Sequence, residues 1–305
     1  MAVFSTTSVG NLGVTIPKQR LDKMKDKIKG GSVIAALSSA EPMLFGQGES
    51  FTFDIGEAEL VSEGANKSSS VMTAKSFTTK PHKLQKTIRW TDEILWADAD
   101  HQMTVLEQCL DQMTPALARA LDFVGIHGVN PATGAHDSAI VSYIDQSTNL
   151  VASGASKPHT YTDTAIADIL AKGYVPNGIA LDTTFAAKIV TTRGTNSEQK
   201  LYPEYEITTA GTSTFQSLTA ALSTTVGAKG VIPGGSDIQA IVGDWDLCRW
   251  GIQRQMGLEL IQFGDPDGNG DLKRNNQVAF RVEIVYGWGV ADIDAFALIT
   301  GETSA

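Results

Sequence analysis

The sequence predicts an α+β fold in which long extended segments come first, then one long helix, an α/β middle and a β-rich final third. Three observations carry this. "ESFTFDI" at 49–55 alternates apolar and polar residues with a period of two, and "AKSFTTKPHKLQKTIRW" at 74–90 resumes strand character. From about Asp100, the residues Leu106, Cys109, Leu110, Met113, Leu117, Ala120, Leu121 and Val124 recur at helical spacing. Farther on, helical stretches alternate with apolar strand-like runs, and the last third is rich in Val, Ile, Phe and Tyr.

In order, residues 17–29, "PKQRLDKMKDKIK", place Leu21, Met24 and Ile28 on one stripe of a short helix. One stripe on one short helix forms no core, so the first 45 residues read as an arm that lies on something else. Their alternating Lys and Asp read as a solvated face, in preference to a basic arm on nucleic acid. Residues 46–90 read as a long two-stranded loop. Its tip is polar, and its positive row is Lys67, Lys75, Lys80, Lys83, Lys86 and Arg89. An isolated hairpin is marginal in water, so this loop needs a partner surface. The long helix has a cap expected at Thr91 or Asp92, a bend at Pro115 and an end at Gly125 or Gly128. A helix over residues 162–173, a buried strand over 178–182 and a helix over 183–194 follow. The stretch to residue 230, rich in Thr, Ser and Gly, reads as loose. "AIVGDWDLCRWGI" and "GLELIQF" read as strands, as do segments of 277–300.

The 305 residues, 42% hydrophobic and 19% charged, suffice for one large domain or two modest ones. A net charge of −10 argues against gripping nucleic acid through its backbone, though not against lying beside it. Cys109 and Cys248 stand in apolar surroundings and read as buried free thiols. No apolar run spans a membrane, and the N-terminus lacks a signal pattern; the chain reads as intracellular.

Chemical motifs are scarce. In "GDPDGNGDLKRNNQ", Asp265, Asp267, Asn269, Gly270 and Asp271 match the start of an EF-hand loop. Lys273 and Asn276 stand where later ligands belong, and strands flank the loop, so a polar hairpin tip is favoured over a calcium site. "GWGVAD" lacks the third glycine of a dinucleotide loop, and neither "GGSVI" nor "GGSDI" makes a nucleophile elbow. His127, His136 and Asp137 read as a solvated loop rather than a metal group. Asp292 and Asp294 share a face with no pocket in view. No enzyme reading and no cofactor emerges.

The order of elements resembles the major capsid proteins of tailed bacteriophages, with the Hong Kong 97-type fold. "TIPKQRLDKMKDKI" resembles the end of that family's N-terminal arm, and "LARALDFVGIHGVNPATG" the end of its spine helix. "ALDTTFAAKIVTTR" resembles its axial domain; "IVGDWDLCRWGIQRQMGLEL" and "NNQVAFRVEIVYGWGVADIDAFALIT" resemble its C-terminal third. The resemblance implies an N-terminal arm (1–45), an extended loop (46–90), a spine helix with part of the peripheral domain (91–130) and an axial domain (131–245). A peripheral hairpin (246–288) and a closing axial strand (289–305) complete it. It implies pentamers and hexamers in an icosahedral virion head around double-stranded DNA, assembled in the bacterial host cytoplasm. Partners would be a portal, a decoration protein and, since Met1 leads almost directly into the arm, a separate scaffolding protein if any; no membrane is involved. Subunit contacts would fall on the loop's positive row, with acidic residues opposite. Some members form a lysine–asparagine isopeptide bond aided by a glutamate. Asn276, Glu283, Lys67 and Lys75 stand at similar places, but ordinary hydrogen bonds and solvated lysines are the favoured reading. An encapsulin-type shell is the alternative within the fold, and a monomeric calcium-binding surface protein the alternative outside it.

Overall fold

The computed structural model describes residues 31–41, 48–54, 60, 62–63, 69, 73–93, 99–154, 157–194, 198–207 and 212–301. The helix expected over 17–29 and the position of Lys67 lie outside them. Two sheets and four helices are present among these residues, as the α+β class requires.

A four-stranded antiparallel sheet has the order β1-β2-β9-β8, from strands β1 (Gly48–Asp54), β2 (Thr73–Thr91), β8 (Cys248–Ile261) and β9 (Gln277–Val290). Along β9, Val278, Phe280, Val282, Ile284, Tyr286, Trp288 and Val290 all enter one core, the period of two that a pleated strand imposes. They pack on the long helix α2 (Ala99–His127) through Met113, Leu117, Leu121 and Val124. At 1.5 Å per residue its 29 residues span about 43 Å. Pro115 lies within this helix on an exposed turn. Gly125 lies inside it too, so the end falls at Gly128, whose φ of 64° is the left-handed conformation glycine adopts freely. Thr91 is the last residue of β2 and does not cap the helix.

The second sheet has six strands in the order β3-β10-β7-β4-β6-β5. These are β3 (Leu150–Ser153), β4 (Gly178–Leu181), β5 (Thr212–Phe215), β6 (Leu218–Leu222), β7 (Ile238–Gly243) and β10 (Phe296–Gly301). Ile241 and Leu298 point into the core shared with α2. Ala240, Val242, Ala297 and Ile299 point into a second core beneath α3 (Pro158–Ala171) and α4 (Thr183–Thr191). Burial on both faces explains the unbroken apolar run in "GIAL". Asp182 ends that run and caps α4, accepting from the Thr184 amide at 2.9 Å.

The structure corrects several expectations. α3 begins at Pro158, four residues before Thr162, because proline fits the first helical turn, where its missing N–H costs nothing. It ends at Ala171 in a Schellman motif: Gly173, at φ 88°, donates to Leu170, and Tyr174 donates to Ile169. The "loose" stretch contains the hairpin β5–β6, turned by Gln216 and Ser217, both at positive φ and neither a glycine. "AIVGDWDLCRWGI" is two strands, β7 and β8, in different sheets. The chain crosses between them at Trp245, which is fully buried and meets Phe296 edge-on at 5.4 Å.

The largest correction is at residues 32–37. The first 45 residues read as an arm without a core, yet α1 (Val33–Leu37) buries Val33, Ile34 and Ala35 in the central core. Gly125 makes room for it: a Cβ there would lie 2.5 Å from Ile34 Cδ1. The N-terminal amides of α1 are all satisfied. Asp122 of α2 accepts from the Val33 and Ile34 amides at 3.0 and 3.2 Å; Ser32 Oγ takes the Ala35 amide, and the Ser32 carbonyl the Ala36 amide. Ser32 and Thr225 donate their hydroxyls to the same carboxylate. Burial pushes the Asp122 carboxyl above its usual range, against the pull of these donors.

Candidate assembly surfaces

Strand β2 runs for 19 residues, and its two halves have different partners. Residues 80–91 pair with β9, inside the four-stranded sheet. Among the described residues, 73–79 pair with β1 alone. The pair β1/β2 therefore continues outward as a two-stranded ribbon for seven rungs, roughly 23 Å at 3.3 Å per residue. A ribbon of this kind is marginal without a surface to lie on.

At the opposite end of the sheet, the acidic loop closes the β8–β9 hairpin. It is built around Arg89 of β2. Arg89 Nε donates to Asp267 Oδ2 at 2.9 Å, and Nη2 reaches Asp265 Oδ1 at 3.1 Å, the Gly270 carbonyl at 2.9 Å and Asp267 Oδ1. Nη1 donates to Gln277 Oε1 at 3.1 Å. The fixed fork of a guanidinium suits such convergent acceptors. Arg281 adds a bond to the Pro266 carbonyl, Lys273 pairs with Asp92 at 3.1 Å, and Leu272 anchors the loop from within, fully buried. Arg89 holds the Asp267 carboxyl well below the usual carboxylate range.

The two leading residues of the calcium-like pattern thus face a guanidinium rather than an open cradle. Asn269 donates its amide toward Asp267, and Asp271 accepts the Arg274 amide as a turn cap. Among the described residues no group of three or more metal-binding side chains converges. His127 bonds the Thr225 carbonyl and His136 the Gly128 carbonyl. Asp292 accepts from Tyr174 Oη at 2.6 Å and Asp294 pairs with Lys172 at 2.7 Å. Both cysteines are free and buried, and burial pushes the Cys248 thiol up to about 12.

Of the expected contact residues, Arg89 is engaged within its own chain by the acidic loop. Glu283 is nearly buried and pairs with Lys83 at 2.7 Å, so its charge is likewise met internally. Asn276 occupies the left-handed region at φ 51°, and its carbonyl accepts the Asp92 amide. Lys75 lies opposite Thr52 in the ribbon, and Lys80 opposite Trp288 where the ribbon joins the sheet. Lys86 is exposed beside a cleft against α2. Sequence reasoning missed Asp122 and the Arg89 loop. Pairing Arg89 with "DPDGNGD" needs a contact across 178 residues, for which the sequence carries no local signal.

The Arg89 link has a defined pH signature. Asp267 is depressed in the folded state, so its contribution is present above the unfolded carboxylate value of about 3.9 and fades as pH falls through the folded value. Arg89→Ala is expected to lower Tm at pH 7, and the gap to the unaltered protein is expected to shrink below about pH 4. It does not close there, because the bonds to Gln277 and the Gly270 carbonyl do not titrate. Thermal unfolding across pH checks this.

Comparison with known proteins identifies the architecture. The model of the phage capsid family matches residues 12–301. A structure from Mycobacterium phage Ogopogo is 40% identical, covers 89% of this chain and 92% of its own, and superimposes with a TM-score of 0.76. One from Gordonia phage Cozz is 27% identical, covers 90% of this chain and 87% of its own, and has a TM-score of 0.73. A structure titled "Capsid of native GTA particle computed with C5 symmetry", 14% identical, shares the fold at a TM-score of 0.56 over 98% of this chain and 95% of its own. No curated protein matches the chain. With a family model matched over nearly its whole length and a ribbon that leaves the body of the subunit, the chain belongs to the phage capsid family and is a structural protein of the phage shell.

Proposed function

We propose that the chain assembles as pentamers and hexamers into an icosahedral head that encloses double-stranded DNA, acting as a building block and not as an enzyme. The observation that carries this is the ribbon of β1 with residues 73–79, which has no strand partner in its own subunit beyond its own two strands among the described residues. Such a ribbon gains order by lying on a neighbouring copy. In this reading 46–90 is the extended loop, and 91–130 with 246–288 form the peripheral domain. Residues 131–245 and 289–305 form the axial domain that meets its copies around the symmetry axes. In this reading the arm expected over 1–45 crosses to a neighbour through the part before α1, which lies outside the described residues. A portal, a decoration protein and assembly in the bacterial cytoplasm complete the proposal.

Light scattering and electron microscopy of the protein expressed alone test it. Closed particles of megadalton mass are expected, and a species that stays near 32.5 kDa at all concentrations overturns the reading. On a denaturing gel, dissociated shells are expected to give one band near 32.5 kDa, because Asn276 and Glu283 are engaged in turn and ion-pair roles. A ladder of higher bands would show covalent linkage instead.

A further inference from the structure

A cleft of about 570 Å³ lies between β2 and α2. It is lined by Leu117, Ala120 and Val124 of α2, by residues 130–132 and by Gly230 and Val231. Its charged lining is unbalanced: Lys83, Lys86 and Arg119 stand against the single acid Asp137. Lys83 is satisfied by Glu283, and Asp137 accepts the Ala139 amide at 2.9 Å. Lys86 of β2 and Arg119 of α2, both exposed, have no ion-pair partner among the described residues. The chain as a whole carries −10. Two unmatched cations facing one cleft in an acidic protein mark a place that an acidic segment fits.

The sequence supplies such a segment on the ribbon. "IGEAELVSEGAN" at 55–66 carries Glu57, Glu59 and Glu63, has no cation before Lys67, and includes Leu60, which is fully exposed. In sequence it follows Asp54, at the outer end of the ribbon. The ribbon leaves the sheet at Lys80 and runs seven rungs outward, from Gly48 opposite Thr79 to Asp54 opposite Thr73, roughly 23 Å, whereas the cleft begins at His82 on the body side of that junction.

We propose that the acidic turn of one copy, Glu57, Glu59 and Glu63, seats in the cleft of a second copy and pairs with its Lys86 and Arg119. This rests on the shell reading above and assigns that reading a specific contact. It reverses the polarity expected from the sequence, in which loop lysines seek acids on the neighbour: here the acidic segment comes from the loop, and Lys86 of β2 with Arg119 of α2 supplies the cations.

A charge exchange tests the contact. Three variants are expressed beside the unaltered protein: Lys86→Glu with Arg119→Glu; Glu57→Lys with Glu59→Lys and Glu63→Lys; and all five together. All five side chains are changed within one polypeptide, so a homo-oligomer of the third variant restores opposite charges at every contact. Each of the first two is expected to lower particle yield at least about tenfold by light scattering, with unaltered far-UV circular dichroism and Tm, since like charges then meet. The fivefold variant is expected to recover most of the yield. Normal yield from either partial variant, or a fivefold variant no better than they are, overturns the contact. So do shells of the first variant that form normally but retain less DNA, which would make the cleft a polyanion site. Failure of the unaltered protein to form particles overturns the shell reading and the contact with it, whereas unaltered shells with indifferent variants overturn the contact alone.

Discussion

Replacing Asp122 by alanine is expected to lower the unfolding free energy of the unassembled subunit by about 2–6 kcal/mol and to release residues 32–37 from the core. The estimate follows from two buried amides, Val33 and Ile34, that lose their acceptor at about 1–3 kcal/mol each. The Ser32 and Thr225 hydroxyls lose theirs too, and Ser32 also caps α1, so the whole entry of the chain into the core loosens together. Asp122→Asn keeps one acceptor oxygen and the volume, and is expected to fall between the two. The pH dependence separates this from simple cavity formation. The folded Asp122 value is raised by burial, so its contribution is greatest below the unfolded value of about 3.9 and declines as pH rises through the folded value. The stability gap between the unaltered protein and Asp122→Ala is therefore expected to narrow from acid toward neutral pH in denaturant unfolding. Amide exchange at Val33 and Ile34 should rise in the variant.

The second large effect concerns assembly rather than folding. Replacing residues 48–79 by a short turn is expected to reduce particle yield by about a hundredfold or more, because each subunit loses a contact that every neighbour repeats. The subunit itself is expected to remain folded with a similar circular dichroism spectrum. Residues 80–91 keep their pairing with β9, and the core built on α2, β9 and the six-stranded sheet lies outside the excised segment. Light scattering gives the yield, and chemical unfolding shows whether the body survives. A variant that still closes shells at normal yield would remove the ribbon from the assembly account.

What the sequence disclosed was what local pattern encodes. The strand character of 277–290, the helical recurrence from Cys109 to Val124 and the buried strand at Gly178–Leu181 each follow from the local run of residues, and each is present as expected. What it hid depends on distant partners. "SVIAAL" at 32–37 has no amphipathic period because it is enclosed from more than one side, by α2 and by strands of both sheets. Asp122, inside a helix, looks like any solvated acid until Ser32 and Thr225 are brought to it. Gln216 and Ser217 turn a hairpin without the glycine that normally announces a left-handed turn. The acidic loop was legible as a turn because Lys273 and Asn276 spoil a calcium site, but the arginine that takes the place of an ion comes from a strand far back in the chain. The family resemblance supplied the architecture, and the proposed contact between subunits rests on where the ribbon leaves the sheet.

The order of that ribbon in and out of the shell tests most directly whether neighbouring copies hold it. Amide hydrogen exchange at residues 48–54 and 73–79 can be compared between assembled particles and dissociated subunits under the same conditions, with residues 80–91 as the internal reference. Strong protection of the ribbon in particles and exchange at least about a hundredfold faster in free subunits is the expected result, with 80–91 protected in both. Equal protection of 48–54 and 73–79 in the solitary subunit would show that the ribbon is held by its own chain, and would contradict the claim that neighbouring copies order it.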